Sequence, residues 1–181
     1  MAATVTIHEI NGNGTLTEGV VAPGGSATES AALSNVRHCS ADVANDDGTN
    51  KIAIPAAGSN YGYVKTLRAK ASGTFTSLSN WAWYTDGANG YGTDITLKAR
   101  AIGQASYAQA TGTAGSTGDQ NASITANAFG YVSGTPLSLT GSISSAGVGT
   151  VQLVQLQMVI GSTAVTGATG SELYTWKWDE V

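Results

Sequence analysis

Four tryptophans fall as two Trp-x-Trp pairs, Trp81/Trp83 and Trp176/Trp178, each inside a stretch that alternates like a strand. Side chains two apart on a strand project from the same face, so each pair marks a sheet surface that must be covered. The other aromatic bulk is seven tyrosines and only two phenylalanines. Full burial of an indole removes roughly 200 Å² from water, several kcal/mol at about 25 cal/mol/Å². Trp81, Trp83, Trp176 and Trp178 are therefore expected to be the aromatic core of a sheet protein. Stacking of exposed indoles on sugar rings, as in a carbohydrate- or receptor-binding module, is the competing reading.

The spacing of turns agrees with this. Asn-Gly at 11–12 and 13–14, Gly24-Gly25, Asp47-Gly48, Asp86-Gly87 and Asn89-Gly90 punctuate short β-branched and aromatic segments. That pattern predicts an all-β, antiparallel β-sandwich of jelly-roll type, a single domain over residues 1–181 with long Gly/Ser/Thr-rich loops. Strands are expected at 4–10, 15–21, 37–43, 51–54, 63–71, 73–77, 80–85, 95–102, 122–125, 137–142, 148–160 and 172–179. In the first, Val5 and Ile7 share one face while Thr4, Thr6 and His8 share the other. In the last, Tyr174, Trp176 and Trp178 point inward, opposite Leu173, Thr175 and Lys177. Ala27 to Leu33 has enough alanine for a turn or two of helix. Segment 104–121 is a Gly, Ala, Ser, Thr and Gln tract with little apolar bulk beyond Tyr107, and is expected to be a flexible exposed loop.

Charge narrows the function classes. Only 11% of residues are charged, against about 25% in ordinary domains. A neutral, hydroxyl-rich surface loses little solvation on packing against another subunit, which favours an assembling protein. Net charge is −4 with eight scattered Lys and Arg, so no basic stripe tracks a nucleic-acid backbone. The apolar-rich stretch from Val148 to Ile160 is broken by Gln152, Gln155 and Gln157 and is no membrane span. The opening segment has no basic n-region or long apolar run, and predicts synthesis in a cytoplasm without a cleaved leader.

Reaction chemistry is weakly signalled. His38 and Cys39 are adjacent, and neighbours on a strand face opposite ways, so a shared proton is not expected. Two histidines and one cysteine supply no zinc set. The acidic turns at 45–50 and 86–94 invite a calcium reading, but in the second Ala88 and Gly90 fall at ligand positions and break the pattern, and both read as turns chosen for backbone conformation. No catalytic residue, cofactor or metal is expected, and no enzyme.

The run from Lys65 to Tyr84, the segment Val151 to Ile160 and the ending from Tyr174 to Val181, with its aromatic strand closed by Asp179-Glu180, resemble a group of tailed-bacteriophage virion proteins. The likeness spans about half the chain in two blocks. It implies a head decoration (cement) protein, a homo-oligomer with a trimer favoured, bound to the major capsid protein or other virion subunits, and located in the virion. Partner contacts are expected from the N-terminal strand or arm (1–12), at Thr4, Thr6, His8 and Ile10, and from the 104–121 loop, at Tyr107 and Gln109. A tail-tube or other tail subunit is the alternative within the same class.

Overall fold

The computed structural model describes residues 2–112, 121, 123–166 and 170–181. Its strands are β1 (Thr4–Asn11), β2 (Thr28–Glu29), β3 (Ser59–Tyr61), β4 (Lys65–Ser72), β5 (Leu78–Tyr84), β6 (Ile95–Ile102), β7 (Leu137–Leu139), β8 (Leu153–Gly161) and β9 (Thr175–Glu180). Two antiparallel sheets result. The larger holds six strands and the smaller runs β7-β5-β9. The chain is an all-β sandwich.

β8 organises the larger sheet, and its sequence explains why. Val154, Leu156, Met158 and Ile160 alternate with Gln155 and Gln157, so one face packs into the inter-sheet core while the other carries amides. Both faces are nevertheless buried, because the inter-sheet core covers one and the loops packed on the outside of the sheet, around Leu153, cover the other. β6 pairs with it from Leu153 to Ile160. Along its other edge β4 covers Val154 to Leu156 and β3 covers Val159 to Gly161, so residues 59–72 form one interrupted strand. The amides find partners at close range: Gln155 donates to Thr66 Oγ1 at 3.1 Å and Gln157 to the Gly62 carbonyl at 3.1 Å.

The smaller sheet places Trp81 and Trp83 at the centre of the core, 1% and 0% exposed. Asn80 adopts φ 51°, and between Ser79 and Ala82 the β5 strand carries one residue more than β9. This bulge increases local twist and brings the β9 indoles over β5. Trp176 faces Trp83 in the ladder, and Trp178 stacks on Trp81 with centroids 5.3 Å apart. Trp176 and Trp178 are half-buried, because β9 is an edge strand; they pack against the core without being enclosed by it.

Several expected strands are irregular. Segment 15–21 does not join a sheet: Gly19 has φ 77°, Leu16 is its one buried residue, and the Val20 and Val21 carbonyls accept from the Arg68 guanidinium in place of a ladder. Segments 37–43 and 51–54 are held in the same manner, with Lys65 Nζ donating to the Val43 carbonyl at 2.6 Å and Asn60 Nδ2 to the Ala53 carbonyl at 2.7 Å. Residues 73–77 and 123–125 are also outside strands, and Ala122 lies outside the described residues. Ala27 to Leu33 is extended, not helical: Thr28 and Glu29 pair with β1, and the Ser30 and Leu33 amides donate to the Glu9 and Ile7 carbonyls. The unfilled edge of β1 outcompetes the weak helix propensity of three alanines.

A second small core sits on the outer face of the larger sheet, formed by Ile10, Leu16, Ala27, Tyr107 and Leu153 with Ile102 packed beside it. It fixes the long loops at 12–27 and 103–107 onto the sheet.

Candidate interaction surface

The sandwich is closed unevenly. Six strands face three, and next to the start of β9 the space between the sheets opens as a cleft of about 1500 Å³. Its floor is the inward face of the larger sheet, at Ile7, Leu67, Met158 and Ile160; its roof begins with Tyr174 and Trp176. Leu33, Ile52 and Ile54 from the irregular 33–54 segment form a side wall. The lining is predominantly apolar, and two of its rim residues are unusually bare for their type, Val165 at 76% and Leu173 at 69% exposed.

One polar row crosses this cleft. His38 Nε2 lies 3.0 Å from the Tyr174 hydroxyl, which is hydrogen-bonded to the hydroxyl of Tyr91. The imidazole meets both phenol rings edge-on, with centroids 6.1 and 6.5 Å away. Burial, and secondarily the Lys65 ammonium, push the His38 pKa down to about 3. Burial likewise pushes Tyr91 up to about 12 and Tyr174 higher still. All three are neutral across the ordinary pH range, so the row is a structural tie between the 33–54 segment and β9. His38 Nδ1 is enclosed and has no hydrogen-bond partner among the described residues, which leaves it out of reach of a solvent-borne substrate. Cys39 points elsewhere, 1% exposed and donating its thiol to the Ala41 carbonyl.

The acidic turns are occupied by their own backbone. Asp46 accepts from the Gly48 amide at 2.7 Å and the Asn50 side chain at 2.6 Å, and Asp86 from the Ala88 amide at 2.9 Å. Asp94 accepts from the Thr163 amide and hydroxyl at 2.9 and 2.8 Å, tying the β6 entry to the turn after β8. Among the described residues no three His, Cys, Asp or Glu side chains converge in a set able to hold a metal.

The residues expected to meet a partner are divided by the structure. Ile10 is 2% exposed in the small outer core, and His8, at 8%, bonds the Ser30 carbonyl and Thr6. Tyr107 is 8% exposed, with its hydroxyl donating to the Gly12 carbonyl at 2.7 Å. These three serve the interior, which corrects the expectation that they form a contact surface. Thr4, Thr6 and Gln109 remain at least partly accessible. The start of the 104–121 loop is also corrected: Gln104 is fully buried and donates to the Gly149 and Val151 carbonyls at 3.0 Å each. Positions 113–120 lie outside the described residues.

The open flank beside β9 was not legible from the sequence as a site. Its signal was present only as an aromatic strand bearing indoles on one face and charges on the other. Trp81 and Trp83, being enclosed, offer no face to a sugar ring. Comparison of the chain with protein-family models, with curated proteins and with solved structures finds no match.

Proposed function

We propose that this chain is a structural subunit of a tailed-bacteriophage virion, a head decoration protein that stabilises a shell by bridging capsid subunits and performs no reaction. One observation carries the assembly part of this reading: an apolar cleft, rimmed by bare Val165 and Leu173, opens beside a sheet edge that no strand among the described residues pairs with, in a chain that is only 11% charged. Such a flank is costly to leave in water and cheap to cover with protein. The placement in a phage head draws on the resemblance of the 65–84, 151–160 and 174–181 segments. Supporting it is the use of side chains for internal ties: Asp46, Asp86 and Asp94 hold turns, Lys65 and Glu9 hold each other, and His38 is neutral and enclosed.

The test is to locate the protein in particles from the same source by reconstruction, and to co-sediment purified protein with empty capsids. Regular density on the outer lattice and saturable capture are expected. Density in the tail moves the chain to the alternative tail role; absence from the particle with no capture overturns the reading.

A further inference from the structure

The outer edge of β9 is, among the described residues, the longest strand edge without a paired neighbour. Among the described residues no strand pairs with it, since the smaller sheet ends there. The other edges are shielded or short. β1 is covered from Ile7 to Asn11 by β2 and the Ser30 and Leu33 amides. β6 meets Ala126 and Asn127 at its middle. β7 has three residues. An edge strand with free amides and carbonyls is a template for another strand, and natural sheets commonly blunt it with repelling charges.

β9 carries charges of a different design. Lys177 and Asp179 both lie on its outward face, exposed, while Trp176 and Trp178 lie on the inward face, half-buried. The strand is regular through this stretch, because the bulge is on β5. Consider a second β9 laid antiparallel against the first about a two-fold axis. Opposed residues share a face, so axes falling between residues would set Trp against Lys and are excluded by the pleat. An axis through Lys177 sets lysine against lysine; one through Asp179 sets aspartate against aspartate. An axis through Trp178 sets Lys177 opposite Asp179 of the other copy twice, Trp178 opposite Trp178, Trp176 opposite Glu180, whose carboxylate accepts from the Ala3 amide of its own protomer, and Thr175 opposite Val181, which is 76% exposed.

We propose that a second copy of this chain is the partner of this edge, joined β9 to β9 in antiparallel register centred on Trp178, so that the smaller sheets of two protomers fuse into one six-stranded sheet. Self-complementary charge selects the register, and the two-fold arrangement closes the edge without leaving a new one. The pair replaces the trimer that the resemblance implies. The inference rests on the reading of the chain as an assembling subunit, but it concerns the free protein and can fail separately from capsid association.

Sedimentation velocity of the purified full chain across the micromolar range tests it. The wild type is expected as a concentration-dependent dimer. Lys177→Asp and Asp179→Lys each place like charges opposite one another twice and should weaken the dimer by about tenfold or more, whereas the double exchange Lys177→Asp/Asp179→Lys should restore it. Both substituted positions are exposed, Asp179 giving up one hydrogen bond from Asn80 Nδ2 within its protomer, and circular dichroism verifies that each of the three variants is folded. Amide exchange at 175–180 should slow as concentration rises. A monomer at every concentration, a trimer, or a dimer indifferent to the single exchanges would overturn the proposal. Capsid co-sedimentation of the same variants is scored independently: dimers that ignore capsids uphold the pairing and count against the virion reading, and captured monomers do the reverse.

Discussion

Trp178 stacks on Trp81 across the β5–β9 ladder, with ring planes inclined by 30°, so a half-exposed residue near the chain's end forms the lid of a fully enclosed one near its middle. The two indoles of β5 differ in how they are satisfied. Trp81 Nε1 donates to the Leu78 carbonyl at 3.1 Å, whereas Trp83 Nε1 is buried without an acceptor among the described residues. Trp81→Ala and Trp83→Ala should each cost about 3–5 kcal/mol and Trp178→Ala less, because part of its surface is already in water. The sharper contrast is the phenylalanine series. Trp81→Phe gives up a hydrogen bond to the Leu78 carbonyl, which still accepts from the Ile143 amide, while Trp83→Phe removes a donor that makes no bond, so Trp83→Phe should be the milder change in denaturant titration.

Lys65 and Glu9 form an ion pair at 3.0 Å with side chains 0% and 1% exposed, at the end of the core where β1 meets β4. Burial raises the Glu9 pKa, and Lys65 and the Asn11 amide act against that rise. Removing one partner leaves the other as a buried, uncompensated charge. Lys65→Met should therefore destabilise by about 3–5 kcal/mol. Adding Glu9→Gln should recover a large part of the loss, a coupling that a double-mutant cycle in urea measures directly. Equal and additive losses would show that the two side chains do not interact.

The sandwich was legible because its central strands obey simple periodicity. β1, β5, β6, β8 and β9 each show alternation or an aromatic pair that survives in the structure to within a few residues at most edges. Segments 15–21, 37–43 and 51–54 stay outside the sheets because β-branched composition predicts extended backbone but not its hydrogen-bond partner. There the partners are side chains: Arg68 takes the Val20 and Val21 carbonyls, and Lys65 takes that of Val43. Both cations lie on β4, more than twenty residues away in sequence, and no local pattern announces them. The open flank escaped notice for a related reason, since an edge is defined by strands that are missing, and a sequence records only those present.

Tyr107 illustrates the same limit and yields a prediction. In a Gly- and Ala-rich tract it looked like a lone contact residue, yet it closes the outer core over Ile10 and Leu153. Tyr107→Ala should lower stability by about 3 kcal/mol or more, with Tyr107→Phe costing about 1 kcal/mol for the bond to the Gly12 carbonyl. Gln109→Ala, at an exposed site, should fall within about 0.5 kcal/mol of wild type. Thermal denaturation of the three variants separates interior from surface; a Tyr107→Ala protein as stable as wild type would detach this tract from the fold.

The His38 imidazole supplies a pH dependence whose sign can be worked out. Its folded pKa is pushed down to about 3, against 6.5 for the free side chain, by burial first and by the Lys65 ammonium second. The groups that face it, Tyr91 and Tyr174, are held neutral by burial, and neither can compensate a charge on the ring. Below pH 6.5 the unfolded chain takes up a proton that the folded chain refuses. The stabilisation is therefore complete above about 6.5 and is lost progressively as pH falls toward 3. Urea midpoints of the wild type should decline over that window. His38→Gln keeps a polar group at the site but cannot titrate, so its midpoints should be lower at pH 7.5 and fall less steeply. Parallel declines in the two proteins would place the acid sensitivity elsewhere, and an NMR titration showing His38 protonated near pH 6 would contradict its enclosure in the tyrosine row.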